Sequence, residues 1–78
     1  MKAVIYTKDA CPHCVKVKQV LESLGAQITE YVYDKDFNRD QFYAEFGEGS
    51  TFPQVLLDNT HIGGCVETVK YLRGKNLV

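Results

Sequence analysis

The sequence lacks an excess of charge of either sign. Nine basic and ten acidic side chains leave a formal net charge of -1 over 78 residues. Proteins that bind nucleic acid or an anionic membrane through a broad surface normally carry a clear basic excess. We therefore expect no nucleic-acid partner and no membrane partner. Any site for an anion must be built locally from a few residues.

Long apolar runs are also missing. The opening segment MKAVIYTKDA has four apolar residues between its two lysines, whereas the apolar stretch of a signal peptide has about 7 to 15. No run elsewhere approaches the roughly 18 to 20 apolar residues of a membrane-spanning helix. The sequence therefore predicts a chain without a targeting or spanning segment, located in the cytoplasm.

Cysteine is scarce, and linkers, repeats and low-complexity segments are absent. Three cysteines cannot all pair within one chain, which argues against a disulfide framework and for thiols kept available in a reducing compartment. The chain is long enough for one modest core, and its hydrophobic content of 45% argues against disorder. We expect a single domain over residues 1–78.

Hydrophobic periodicity predicts the element order β-α-β-α-β-β-α. The continuous apolar run at 2–7 is typical of a strand covered on both faces. From Pro12 to Leu24 the apolar residues form one helical stripe, and Gly25 is a natural stop. The remaining segments are a strand at 27–33, a helix at 37–46 with Asn38 as its cap, a strand at 53–58, a turn into a short strand at 59–64, and a helix at 65–74.

This order predicts an α/β fold with a four-stranded mixed sheet flanked by three helices. The first two strands form a parallel pair joined by a right-handed crossover, and the last two suit an antiparallel hairpin. The motif CPHC then lies where the first strand meets the first helix. In open α/β sheets, the carboxyl ends of strands are where binding sites form.

Two cysteines stand three residues apart in that motif. If Cys11 precedes the helix and Cys14 lies in its first turn, their side chains are close enough for a disulfide that opens and closes without refolding. Cys11 also lies among the unpaired N–H groups at the positive end of the helix dipole, which favours a thiolate. We therefore predict that Cys11 is the nucleophile, exposed at an open turn.

The two residues between the cysteines are expected to modulate them. Pro12 suits the first helical turn because its missing N–H is not needed there, and its fixed φ stiffens the loop. A protonated His13 favours the Cys11 thiolate and so stabilises the reduced form. Both residues therefore act on the chemistry of the thiols without reacting themselves.

Other interpretations of the cysteines remain open from the residues alone. Cys11, Cys14, His61 and Cys65 are all of types that bind zinc, although the 46 residues between Cys14 and His61 are far more than a zinc finger uses. The CPHC cysteines can also be read as inert core residues, or as two thiolate ligands of an iron–sulfur cluster. Periodicity places Cys14 on the buried helix stripe, which disfavours a metal ligand.

Three motifs together carry a family resemblance. YTKDACPHC, STFPQV and HIGGC, in this order and spacing, closely resemble the small dithiol glutaredoxins of bacteria and their phages over nearly the whole chain. The resemblance implies a thioredoxin-like fold, glutathione as reductant and co-substrate, and no tightly bound cofactor or metal. It implies that Cys11 attacks and Cys14 resolves. His13 stands where the family usually has Tyr, and Val66 where it usually has an acidic residue.

The resemblance also implies partners. They are glutathione and proteins that carry a disulfide or a glutathione mixed disulfide, with ribonucleotide reductase as a family-level candidate, and we expect the chain to act as a monomer. A redoxin recharged by a flavoprotein reductase of the thioredoxin type is the alternative from the same fold. A non-catalytic zinc or iron–sulfur protein is the alternative from another class.

A glutathione site follows from the same resemblance. Pro53 corresponds to the family's cis-proline, Lys8 and the N-terminus of the last helix to binders of the two carboxylates, and Glu67 is a candidate substitute for the missing acidic residue. Each has a simpler interpretation as a solvated charge, a turn or a core residue. The expected contacts are Lys8, Thr51, Phe52, Pro53, Gly64, Cys65, Val66 and Glu67, with Arg39 and Gln41 as further candidates.

Overall fold

Seven elements follow one another in the order predicted from the sequence. The computed structural model describes residues 1–77. The elements are β1 Lys2–Thr7, α1 Pro12–Ser23, β2 Gln27–Val32, α2 Arg39–Phe46, β3 Gln54–Leu57, β4 Thr60–Gly63 and α3 Cys65–Gly74. Within residues 1–77, no helix combines the length and the apolar character needed to cross a membrane.

The four strands form one mixed sheet with the order β2-β1-β3-β4. Strand β1 pairs in parallel with β2 and antiparallel with β3, while β3 and β4 form an antiparallel hairpin. Asp58 and Asn59 connect that hairpin with φ of 49° and 70°, as a two-residue turn between twisted strands requires. The predicted mixed sheet with a parallel crossover and a hairpin is confirmed.

Alternate residues of β1 point to opposite sides of the sheet, and side chains from the helices pack on both sides. On one side, buried residues of the sheet, α1 and α3 form the main core: Ala3, Ile5, Val17, Leu21, Val55, Leu57, Cys65 and Leu72. On the other side, the Tyr6 ring packs against rings of the α2 region, with centroids 5.3 Å from Phe37 and 4.8 Å from Phe46. The prediction that the first strand is covered on both faces is confirmed in part, because Ala3, Ile5 and Thr7 are buried while Val4 and Tyr6 on the other face are half-buried.

Several helices and strands are one or two residues shorter than predicted. Helix α1 ends at Ser23, with Leu24 as its cap residue and Gly25 at φ 74°. The second strand ends at Val32, because the Asp36 carboxylate accepts a hydrogen bond from the Val32 N–H and closes a turn. The other two differences are a helix α2 that begins at residue 39 and a third strand confined to 54–57.

The predicted cap of α2 is confirmed in detail. The Asn38 side chain accepts a hydrogen bond from the Gln41 backbone N–H at 2.8 Å. The Gln41 side chain in turn accepts one from the Asn38 N–H at 2.8 Å. This reciprocal pair satisfies two backbone donors that a helix start leaves free, and it fixes where α2 begins beside the sheet.

Candidate active site

The two cysteines of CPHC form a disulfide at the start of α1. Cys11 is the N-cap residue with extended backbone, Pro12 is the first helical residue, and Cys14 lies in the first turn. The two Cα atoms are 5.2 Å apart. The Cys14 backbone N–H points at the Cys11 sulfur, with N and Sγ 3.2 Å apart. One free donor of the helix start is therefore directed at the predicted nucleophile, where it stabilises a thiolate.

The exposure of Cys11 was predicted wrongly for this disulfide form. Cys11 is 8% exposed and Cys14 is 4% exposed, so both count as buried. The bond to Cys14 holds the Cys11 sulfur against the first turn of α1. The prediction of an exposed Cys11 assumed an open turn and did not include this bond. Pro12 and His13 between them are exposed.

Seven of the expected glutathione contacts come together next to His13 of the CPHC motif. They line a cavity of about 200 Å³ with His13, and they are Thr51, Phe52, Pro53, Gly64, Cys65, Val66 and Glu67. The Phe52–Pro53 peptide bond is cis. Three separate segments, the α1 start, the loop before β3 and the α3 start, therefore meet in one depression.

An adjoining cavity of about 400 Å³ contains the two predicted cations, Lys8 and Arg39. It shares Thr51 and Phe52 with the first cavity, so the two form one cleft across the loop before Pro53. The Lys8 ammonium lies over the Phe52 ring, 5.6 Å from its centroid. This half of the cleft presents two positive charges on aromatic walls, which suits a carboxylate attached to an extended peptide-like ligand.

Gln41 is not part of this cleft. Its side chain is used in the α2 cap, and the residue borders a different cavity, between α2 and the strands β1 and β2. The sequence placed Gln41 and Arg39 on one helix but did not show that they point to different sides. Residues that line the cleft without having been predicted are Tyr33, Phe42, Tyr43 and Ser50. Their residue types carry no signal in the sequence that separates them from ordinary packing.

One backbone N–H group at the start of α3 is already bonded to a side chain of the same helix. The Gly64 N–H donates to Glu67 Oε1 at 2.8 Å, so one Glu67 oxygen is engaged within the helix. A Cβ at Gly64 would lie 3.1 Å from that oxygen and 3.3 Å from the Pro53 carbonyl oxygen. The close approach of two loops explains the glycine. Val66 next to it is 55% exposed and adds an apolar edge instead of a charge.

The Gln54 and His61 side chains form a hydrogen-bonded pair beside the loop before β3. The sequence did not predict this pair. The Gln54 side-chain amide donates to the Thr51 carbonyl oxygen at 2.8 Å, and Gln54 Oε1 lies 2.7 Å from His61 Nε2. The Phe52 ring stacks on Phe42 with centroids 4.2 Å apart. His61 therefore serves the loop, and the structure does not bring it to the cysteines as a zinc site requires. Within residues 1–77, no group of three or more His, Cys, Asp or Glu side chains could hold a metal ion.

Comparison with known proteins gives a consistent result. The family model described as Glutaredoxin matches residues 3–62. Glutaredoxin-C2 of Arabidopsis thaliana is 33% identical over 78 residues, which cover 96% of this chain and 70% of that protein. The chain spans 62% of the length of two other curated relatives, from rice and Rickettsia typhi.

Two solved structures extend the likeness to three dimensions. Glutaredoxin 1 of Francisella tularensis, complexed with cacodylate, gives a TM-score of 0.78 at 36% identity and covers 97% of this chain and 95% of its own. A buckwheat glutaredoxin–glutathione complex gives a TM-score of 0.80 at 28% identity, covering 96% and 71%. The thioredoxin-like fold implied by the sequence motifs is confirmed. The chain belongs to the glutaredoxin family, whose members are glutathione-dependent thiol–disulfide oxidoreductases.

Proposed function

We propose that this chain reduces protein disulfides and glutathione mixed disulfides with electrons from glutathione. The observation that carries the proposal is the Cys11–Cys14 disulfide at the start of α1, together with a cleft that contains two cations and reaches His13 between the two cysteines. A redox pair beside a peptide-sized anion site is what such a reaction needs.

The proposed reaction proceeds by thiol–disulfide exchange. The Cys11 thiolate attacks one sulfur of the substrate disulfide, a Cys11–substrate disulfide forms, and the other substrate sulfur leaves as a thiolate. Cys14 loses a proton and attacks Cys11 Sγ, which releases the second substrate sulfur and forms the Cys11–Cys14 disulfide. Two glutathione thiols then reduce this disulfide and become one glutathione disulfide, so that two electrons pass from glutathione to the substrate.

The cleft suggests an orientation for glutathione. Lys8 and Arg39 are proposed to bind the glycine carboxylate, and the free N–H groups at the start of α3 the γ-glutamyl carboxylate. The Glu67 oxygen that the helix leaves free is proposed to accept from the γ-glutamyl ammonium. The solved complex of a relative with glutathione supports a binding site of this kind.

We further propose that residues 1–78 act as one domain and as a monomer, in a reducing cytoplasm, without a tightly bound metal or cofactor. Proteins with a disulfide or a bound glutathione are the substrates, and ribonucleotide reductase is one candidate. The odd number of cysteines and the buried Cys65 thiol support a reducing location, because a free thiol persists there.

A coupled assay tests the proposal. The protein is mixed with glutathione, glutathione reductase, NADPH and a glutathionylated peptide, and NADPH oxidation is followed. We expect turnover that depends on both glutathione and this protein. Turnover with a thioredoxin-type reductase but none with glutathione would replace the proposal by the flavoprotein-recharged alternative, and metal bound to the purified protein in a fixed ratio would support a carrier.

A further inference from the structure

A separate cavity with four charged side chains in its lining borders the second cysteine of the pair. It has a volume of about 300 Å³, and only Lys8 among its residues also belongs to the proposed glutathione cleft. Its charged lining comes from three segments: Lys8 after β1, Lys18 and Glu22 on α1, and Glu30 on β2. Cys14 thus shares a cavity with charged side chains that the exchange chemistry at Cys11 does not use.

An ion pair at this cavity is fixed by hydrogen bonds. The Lys18 ammonium lies 3.0 Å from Glu30 Oε1. The buried Thr7 hydroxyl donates to the other oxygen, Glu30 Oε2, at 2.8 Å. Both carboxylate oxygens are therefore occupied, and the flexible Lys18 side chain is tied through Glu30 to the central strand β1. Within the described residues 1–77 this is the one ion pair between side chains.

Both members of the pair keep their charge while thiols titrate. The hydrogen bond and charge of Glu30 raise the pKa of Lys18 above its ordinary value. Hydrogen bonds from Lys18 and Thr7 lower the pKa of Glu30. Thiols titrate near pH 8.5, between these two groups. The cation at the cavity is therefore permanent under the conditions in which the disulfide opens and closes.

The proposed function creates a need for such a cation. When a glutathione thiolate attacks Cys11 Sγ, a glutathione–Cys11 bond forms, the Cys11–Cys14 bond breaks, and its electron pair leaves on Cys14 as a thiolate. Cys14 then takes a proton from solvent. Because Cys14 is almost fully buried, a thiolate there is disfavoured unless a nearby charge compensates for lost hydration.

We propose that Lys18 is the residue that stabilises the Cys14 thiolate, and that Glu30 and Thr7 position it. This inference rests on the proposed function for its kinetic meaning. Lys18 stands four residues after Cys14 on α1, so the two side chains are neighbours one turn apart, whereas Glu22 is two turns away. The Lys8 ammonium lies instead over the Phe52 ring. In this proposal Lys18 supplies the charge that stabilises the second sulfur, as the helix start does for the first, and Glu30 and Thr7 are the positioning residues.

The test separates the charge effect from the overall activity. In a Cys11→Ser background, the ¹³Cβ signal of Cys14 followed against pH reports its titration without glutathione. We expect Lys18→Met to move that titration to higher pH and Lys18→Arg to leave it close to the original. In the protein with both cysteines, Lys18→Met is expected to slow the opening of the disulfide by glutathione about three- to tenfold.

Lys16→Met is the matched control, because Lys16 is exposed on the same helix and does not line the cavity. An unchanged Cys14 titration in folded Lys18→Met and Lys18→Gln variants would overturn the inference. An equal shift in Lys16→Met would overturn it too, since it would show a general effect of net charge. The coupled assay on the unaltered protein tests the proposed function independently, so the two failures are distinguishable.

Discussion

At the scale of single residues, the two sulfurs differ in what surrounds them. The Cys11 sulfur accepts a hydrogen bond from the Cys14 N–H at the helix start, while Cys14 lines the cavity that contains the Lys18–Glu30 pair. We expect Cys11→Ser to lose activity at least about a hundredfold on every substrate. Cys14→Ser should keep part of its activity on glutathionylated peptides but not on protein disulfides. Equal losses of peptide deglutathionylation in the two variants would contradict the assigned roles.

Lys8 is the residue whose contribution to glutathione recognition is simplest to measure. It lies over Phe52 in the larger part of the cleft. Because such partly exposed charge contacts are weak, Lys8→Gln should raise KM for a glutathionylated peptide only about two- to fivefold at low salt. The difference should shrink as salt rises. The same change at exposed Lys16 is the control, and an unchanged KM at low ionic strength would remove Lys8 from the site.

His13 distinguishes this chain from the usual family motif. It is exposed and borders the smaller part of the cleft. A protonated imidazole there favours the thiolate of the reduced form and does not equally favour the neutral disulfide, which makes the couple more oxidising. We expect His13→Tyr to lower the reduction potential by about 10 to 20 mV at pH 6. Equilibration with glutathione measures it, and identical potentials at pH 6 would show that His13 has no such effect.

At the scale of elements, local signals in the sequence were sufficient to predict a helix and its buried face where a capping residue or an apolar stripe defines them. Asn38 was recognisable as a cap, and the stripe of Cys14, Val17 and Leu21 is buried as its spacing indicates. The segment after β2 was not predictable. Its turn depends on the Asp36 carboxylate reaching the Val32 N–H, and many residues of this type occur in turns without such a bond.

The cap of α2 has a consequence for the site, because Arg39 is the first residue of that helix. Asn38→Ala removes one half of the reciprocal cap and should lower the free energy of unfolding by about 1 kcal/mol. Asn38→Ser keeps a side-chain acceptor and should retain most of it. Urea unfolding followed by circular dichroism measures both. A loss as large for serine as for alanine would mean that the cap bond is not the cause.

At the scale of the whole molecule, contacts between distant segments could not be predicted from the sequence. The Lys18–Glu30 pair and the Gln54–His61 pair each join two elements, and many charged and amide residues in the chain were equally eligible as partners. The same holds for the different sides to which Arg39 and Gln41 point. Periodicity gives the faces of helices and strands, but the partner across a face depends on how the elements pack.

The Lys18–Glu30 pair also makes stability depend on pH. The pKa of Glu30 is lowered in the folded protein by Lys18 and Thr7, so its contribution is present above the ordinary carboxylate range and is lost as pH falls through the folded value. The unaltered protein should therefore lose more stability between pH 5 and about pH 3 than Glu30→Gln does. Thermal unfolding across this range, with Glu48→Gln as an exposed control, measures the difference. Parallel curves would show that the pair contributes nothing.

The short spacing of the disulfide sets the cost of a redox cycle for the chain as a whole. Cys14 follows Cys11 by only three positions, so closing the bond removes little conformational freedom from the unfolded chain. The loop-closure relation gives about 2 kcal/mol for a ring this small, against about 4.7 for a ring of 100 residues. Opening the bond therefore removes less conformational stability than opening a long-range disulfide would. Electron transfer at this pair changes the constraint on the chain only locally, within one turn of α1.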